Sequence, residues 1–157
     1  LTHNCVCTPG QIQRYMNKIS GPLLDRIDIQ CEISPVPFKD ISKAAPGEPS
    51  ARIRERVIRA REIQAERFKD FKGIHCNAQM TERMIHQFAE PTEEGINLLR
   101  MAMEKLSLSA RAYNRILKVA RTIADLAGSQ QVEPQHLAEA IGYRTLDRGD
   151  WAERGHF

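Results

Sequence analysis

Apolar residues recur at helical spacing over most of the chain. The most regular stripe predicts a helix that Ser109 caps and Gly128 ends. Shorter stripes predict helices over residues 8–19, 50–71 and 81–88, and others beginning at Pro91 and Pro134. The pattern therefore predicts a mainly α fold. The main stripe comprises Tyr113, Ile116, Leu117, Ala120, Ile123, Ala124 and Ala127.

One stretch has a different period. After Gly21 and Pro22, which are expected to stop the first helix, apolar and polar residues alternate over residues 27–33. Alternation of this kind predicts a strand with one buried face. A lone strand cannot cover that face, so we expect its sheet partners to lie elsewhere, either in another part of this chain or outside it. The apolar members are Ile27, Ile29, Cys31 and Ile33.

The two patterns are separated by residues 35–50, which carry four prolines and a glycine. This composition predicts a linker and places a domain boundary there. Residues 1–34 would then end one domain, residues 51–147 would form a helical domain, and residues 148–157 would be a flexible tail.

Composition narrows the class of protein. The chain has 157 residues, of which 41% are apolar and 27% charged, and none of its runs reaches the length that spans a bilayer. It begins with Leu1 and shows no signal segment, so we expect a cytoplasmic piece of a longer protein. Its four cysteines suit a reducing compartment. The net charge of +3 does not by itself indicate nucleic acid.

Three arginines are candidates for phosphate contact. Arg111 falls in the first turn of a helix, where the dipole opposes a cation unless both face an anion; the alternative is a solvent-exposed arginine. Arg115 follows on the same polar stripe, and an ordinary solvated face is equally open. Arg26 lies between Asp25 and Asp28, which fits either a structural ion pair or a guanidinium delivered to a phosphate.

Other candidate chemistry is incomplete in this sequence. Cys5 and Cys7 are metal-ligand types, but structural zinc usually needs four ligands. There is no G-x-x-x-x-G-K-[ST] loop, so the chain alone should not hydrolyse ATP. The basic helix at 50–71 could contact nucleic acid, although its cations are interleaved with acids as on a solvated surface.

Three stretches together resemble one family. They are Cys5–Pro9 with Ile12–Tyr15, Ser20–Asp28, and Leu108–Leu126. They are similar to the magnesium-chelatase-like AAA+ ATPases of the ComM or YifB type, and the similarity runs from about Cys5 to Asp147. The resemblance implies that residues 1–34 form the C-terminal edge of an AAA+ α/β core, with a short helix and its last strand. An all-helical lid would follow.

The resemblance also implies roles. Arg26 matches the arginine finger that acts in trans on a neighbouring subunit, and Arg111 matches the sensor-2 arginine; Arg115 is a further nucleotide-binding candidate. The full-length protein would bind ATP and Mg, form a ring such as a hexamer, and act on DNA. Cys5 and Cys7 would hold zinc only with upstream partners. The alternatives are a chelatase subunit that drives metal insertion, and a non-enzymatic helical module that binds nucleic acid or protein.

Overall fold

The computed structural model describes residues 6–31, 33, 36, 40, 46–106 and 108–144. Within these ranges the protein is helical and contains no β-strand, so the predicted mainly α fold class is confirmed. A short 3₁₀ helix covers Asn77–Gln79. The α-helices of the described residues are α1 (Pro9–Met16), α2 (Gly21–Leu24), α3 (Ser50–Phe68), α4 (Glu82–Phe88), α5 (Glu93–Leu106), α6 (Ala110–Leu126) and α7 (Pro134–Gly142).

Helix α6 is the centre of the core. Ser109 caps it by accepting a hydrogen bond from the backbone N–H of Ala112, and Gly128 ends it with a φ of 70° that favours glycine. Its predicted stripe is buried at Ile116 and Leu117, among others, and α3, α4 and α7 pack around it. The prediction for this helix and both of its ends is confirmed.

Helix α7 packs closely on α5 as well as on α6. Gly95 makes this approach possible, because a Cβ atom there would lie 2.7 Å from Cδ1 of Leu137 and 3.0 Å from Cβ of Pro91. Pro91 and Val132, which precede the two helices, also form an isolated parallel bridge.

The first helix begins as predicted and ends differently. Thr8 and Gln11 form a complete capping box at the start of α1, and Pro9 occupies its first turn. It ends at Met16, with Asn17 as its C-cap, so Gly21 and Pro22 do not stop it; they open α2 instead, because proline is well tolerated in a first turn. Neither α1 nor α2 contains a buried residue.

The predicted strand at 27–33 is not found in the described residues. Residues 27–31 belong to no helix or strand and bend at Asp28, although the N–H of Gln30 donates to the carbonyl oxygen of Tyr143 at 2.9 Å. Ile29 stays exposed and Gln30 is buried, the reverse of the predicted alternation. A strand needs neighbours to bury its apolar face, and the described chain offers none.

Helix α3 is shorter and more exposed than predicted. It ends at Phe68 rather than near residue 71, and its buried side chains are Ala60, Gln64 and Phe68. Ile53 and Val57, which were expected to face the core, are 43% and 44% exposed. The stripe predicts a face correctly, but it cannot show how far a helix extends beyond its packing partners.

The described helices include none that is long and apolar enough to cross a membrane. The predicted linker lies largely outside the described residues, and the predicted tail lies wholly outside them. The proposed domain limits therefore stay a prediction.

Candidate functional site

A groove of about 520 Å³ lies along α6, from Arg111 to Leu126. It is called the α6 groove below. The cationic residues in it are Arg111, Arg115 and Lys118, and the acidic ones are Asp28 and Glu139. Cations therefore outnumber acids in its lining. The remaining lining residues are Ile29, Ala78, Asn114, Val119, Thr122, Ile123, Leu126 and Tyr143.

Arg111 lies in the first turn of α6 and is exposed. No hydrogen bond or ion pair engages its guanidinium within the described part of the chain. The first turn of α6 contains no acidic residue of its own. An exposed guanidinium beside a helix N-terminus can bind a phosphate group.

Two further cations strengthen the positive potential of the α6 groove. The ammonium group of Lys118 donates to the carbonyl oxygen of Ala78 at 2.9 Å. Partial burial lowers the pKa of Lys118, and the nearby charge of Arg115 lowers it further, while Asp28 acts in the opposite direction. An anion that entered the groove would be attracted by all three basic side chains.

The segment that carries Arg26 is attached to the same end of α6. Asp28 forms an ion pair with Arg115. The hydroxyl of Ser109, the N-cap of α6, donates to Oδ2 of Asp25 at 3.0 Å. The acidic residues on either side of Arg26 are therefore both bound to α6 or its cap.

A third contact comes from the residue that follows α7. Arg144 is only 1% exposed, and its Nη1 donates to the carbonyl oxygen of Ile27 at 2.5 Å. Its Nη2 also lies 3.7 Å from Oδ1 of Asp25. The three attachments, Asp25–Ser109, Asp28–Arg115 and Arg144–Ile27, are called the latch below.

Arg26 itself takes no part in the latch. It is exposed, and its Nη1 donates to the carbonyl oxygen of Pro22 at 2.8 Å. Within the described residues no ion pair joins it to Asp25 or Asp28, since both acids have other partners. The structural ion pair weighed from the sequence is therefore not found, and Arg26 does not line the α6 groove.

Comparison with known proteins identifies the family. The model of the family described as "Magnesium chelatase, subunit ChlI C-terminal" matches residues 47–144, and that of "Magnesium chelatase, subunit ChlI" matches residues 1–41. The chain belongs to the magnesium chelatase ChlI family. The resemblance stated from the sequence is thereby confirmed, and so is the helical character expected of the C-terminal part.

Several curated relatives match this member of the family over nearly all of its length. It is 45% identical over 148 residues, 94% of the chain, to the competence protein ComM of Haemophilus influenzae. It is 44% identical over 143 residues, 90% of the chain, to the uncharacterized protein YifB of Escherichia coli. It is 34% identical over 90% of the chain to the uncharacterized protein Rv2897c of Mycobacterium tuberculosis. The chain spans 27–28% of the length of these relatives.

The ChlI-family lid also contains a buried polar cluster that sequence reasoning missed. Both carboxylate oxygens of Asp125 accept from Arg67, at 2.5 and 2.7 Å, and Nε of Arg121 donates to Oδ1 of the same carboxylate at 3.1 Å. Asn77 donates to Asp125 at 2.7 Å and accepts from Arg67 at 2.8 Å. Burial lowers the pKa of Arg121, and Asp125 opposes that shift. Arg67, Asn77, Arg121 and Asp125 are called the buried arginine cluster below.

The predicted metal ligands receive no support from the described residues. Cys5 lies outside them, whereas Cys7 is exposed. Groups of three or more metal-ligating side chains do not occur in the part of the chain that the structure describes. A zinc site that includes Cys5 and Cys7 therefore stays a prediction that needs ligands from elsewhere.

The structure thus brings Arg111 and Arg115 into one groove and attaches the Arg26 segment beside it. Arg144 is the functional candidate that the sequence did not reveal, because it falls after the last helical stripe. A buried arginine at a helix end has no signal in apolar periodicity. Only the packing of the segment over α7 shows what Arg144 binds.

Proposed function

We propose that this chain is part of a ring-forming AAA+ ATPase that couples ATP hydrolysis to DNA remodelling. It carries the arginine finger and the helical lid of that ATPase. Arg26 is the arginine finger, which stabilises charge on the γ-phosphate of ATP held by a neighbouring subunit. Arg111 is the sensor-2 arginine, which contacts the nucleotide from the α6 groove. The loops that bind ATP and Mg²⁺ would be supplied by sequence outside residues 1–157.

The observation that carries this proposal is the state of the two arginines. Arg26 and Arg111 are exposed, and neither has an acidic partner within the described residues. Exposed arginines next to carboxylates normally pair with them, yet Asp25 and Asp28 bind other groups. Within the described chain Arg26 lies beside two acids and pairs with neither, and Arg111 lies at a helix N-terminus. Both guanidinium groups are suited to bind phosphate oxygens.

The proposed substrate is DNA rather than a porphyrin. The support is the similarity to the competence protein ComM, together with the arginines along the exposed part of α3. Arg52, Arg54, Arg59 and Arg61 are all exposed there, and exposed cations attract a polyanion even though Glu55 and Glu62 lie among them. The second candidate, a chelatase subunit that drives metal insertion, is favoured by the family description alone.

The test of the finger uses a full-length protein that joins this chain to a nucleotide-binding core. Arg26→Ala is expected to lower ATP turnover by about 10³-fold or more, because an arginine finger contributes roughly 10³–10⁵-fold. Binding of a non-hydrolysable ATP analogue should be retained. Arg14→Ala, which removes another exposed arginine from the same part of the chain, is the matched control and should hydrolyse ATP normally.

Mixing experiments then test action in trans. Subunits that carry Arg26→Ala but bind ATP are combined with subunits that carry Arg26 but cannot bind ATP. Turnover should rise above that of either variant alone. Loss of ATP binding in Arg26→Ala, with normal turnover per bound ATP, would count against the finger. An Arg111→Ala variant with unchanged ATPase activity would remove Arg111 from the site.

The substrate is tested by adding DNA to the same assay. Turnover that increases with DNA, and loses this response when Arg54 and Arg61 are both replaced by glutamine, would support DNA remodelling. A rate indifferent to DNA but raised by a porphyrin and its metal ion would support the chelatase instead. DNA binding with a steep salt dependence in a protein that never hydrolyses ATP would favour the non-enzymatic module.

A further inference from the structure

The latch joins two parts of the chain that the proposed function assigns to one reaction. Arg26 lies between Asp25 and Asp28. Arg111 lies two residues after Ser109 and four before Arg115. Asp25 binds Ser109, the cap of α6, and Asp28 binds Arg115, six residues further along the chain. The two attachment points thus lie on either side of Arg111 along α6.

We infer that Asp25 and Asp28 are positioning residues. They hold Arg26 and Arg111 at a fixed separation so that both reach the same ATP, the one held by the neighbouring subunit. The inference rests on the proposed function. One attachment would let the segment rotate about a single contact, whereas two attachments along α6 and a third at Arg144 restrict its rotation. Catalytic groups need to be held within about 0.5 Å of the productive geometry, so such restriction affects rate.

The inference also changes the role expected of Arg115. Its guanidinium lines the α6 groove but is paired with Asp28, and it raises the positive potential around Lys118. A phosphate that bound Arg115 directly would compete with Asp28 and loosen the segment that carries Arg26. Arg115 is therefore assigned to positioning, and the contact with nucleotide is left to Arg111.

Arg144 supports the segment from the other side. Because Arg144 is buried and donates to a backbone carbonyl, its contact does not depend on the side chain at position 27. The N–H of Gln30 donates to the carbonyl oxygen of neighbouring Tyr143 at 2.9 Å. The end of α7 therefore holds the backbone segment that carries Asp25, Arg26 and Asp28.

The first experiment measures the latch in this chain without nucleotide. Asp28→Ala, Arg115→Ala and the double variant are compared by hydrogen exchange at the amides of residues 25–29. Each single change should accelerate exchange by about 2- to 5-fold, the range expected for a partly exposed ion pair. The double variant should show no further acceleration. Equal exchange in all proteins would overturn the latch as a restraint.

The second experiment measures ATP turnover in the full-length protein. Asp28→Ala is expected to lower turnover by about 10- to 100-fold, as misplacement of a catalytic group does, with binding of an ATP analogue retained. Asp28→Arg combined with Arg115→Asp should recover most of the rate, because the pair is restored with reversed charges. Asp70→Ala, an exposed acid at the end of α3, is the control for loss of a carboxylate and should have normal turnover.

The two experiments separate the inference from the function on which it rests. An unmutated full-length protein that does not hydrolyse ATP would overturn the proposed function, whatever hydrogen exchange shows. Normal hydrolysis in Asp28→Ala, with exchange at residues 25–29 accelerated, would overturn only the positioning role. Failure of the charge swap to recover the rate, with its exchange restored, would show that Asp28 acts through another contact.

Discussion

The buried arginine cluster and the latch use the same chemistry in opposite surroundings. In the cluster, the carboxylate of Asp125 is fully buried and binds two arginines, of which Arg67 is 13% exposed at its side chain. In the latch, the side chains of Arg115 and Asp28 are 29% and 48% exposed. The first joins α3 to α6 within the lid, and the second joins the lid to the segment of Arg26.

The difference in burial decides what the buried arginine cluster and the latch can each do. Removing one member of a buried ion pair leaves an uncompensated charge and costs about 3–5 kcal/mol, whereas exposed pairs contribute about 0–1 kcal/mol. The buried arginine cluster is therefore suited to a permanent connection inside the lid. The Asp28–Arg115 pair of the latch adds little stability, so its value lies in position.

The largest effect is expected for Asp125→Asn. The substitution keeps the shape of the side chain but leaves Arg67 and Arg121 without their shared counter-charge in a buried site. The free energy of unfolding of this chain should fall by about 3–5 kcal/mol. Urea unfolding followed by circular dichroism measures it. Asp70→Asn, the same change at an exposed position, should shift the unfolding free energy by less than about 0.5 kcal/mol.

The contrast between the buried arginine cluster and the latch depends on the result for Asp125→Asn. A loss below about 1 kcal/mol for Asp125→Asn would mean that water reaches the cluster and that burial does not distinguish it from the latch. The m-value of the urea transition should stay unchanged, because the same surface is exposed on unfolding. A changed m-value would mean that the lid no longer unfolds in one step.

A smaller effect is expected for Ser109→Ala. Ser109 has two roles, since its hydroxyl caps α6 and also donates to Asp25. Thr81 provides the matched control, because it caps α4 through the N–H of Met84. Loss of either cap should lower the free energy of unfolding by about 1 kcal/mol, and loss of the latch contact should add to the Ser109 value.

Hydrogen exchange at residues 25–29 separates the two roles of Ser109. Ser109→Ala should accelerate exchange there, whereas Thr81→Ala should leave those amides unaffected. Identical exchange in the two variants would confine Ser109 to capping, and the latch would then depend on Asp28 and Arg144 alone.

Local signals in the sequence were sufficient for most of the helices and for their caps. Thr8 with Gln11, Thr81 and Ser109 each cap a helix as their side chains predict, because capping involves residues at most three positions apart. The strand predicted at 27–33 is not found in the described residues, because alternation gives no information about partners. Ile53 and Val57 illustrate the same limit, since periodicity gives a face and not what covers it.

The candidate site was predictable only in part, for the same reason. Arg111 was singled out by its place in a first turn, which is a local feature. The partners of Asp25 and Asp28 lie more than 80 positions away, and neither charge nor spacing indicated that they would bypass Arg26. The buried arginine cluster was missed because Arg121 and Asp125, four residues apart, also fit an exposed helical ion pair.

The smallest effect, and the sharpest separation of the two clusters, is expected from salt. At about 0.1 M salt the screening length is roughly 10 Å, and at about 1 M it is roughly 3 Å. The coupling between Asp28 and Arg115, measured as a double-mutant cycle on urea unfolding, should fall from a few tenths of a kcal/mol toward zero over that range. The loss caused by Asp125→Asn should stay nearly constant, because ions do not reach a carboxylate that is fully buried.

A cycle for Asp28 and Arg115 that kept its value at high salt would place this pair in a dry interface. The pair would then resemble the buried arginine cluster, and burial would no longer distinguish the two.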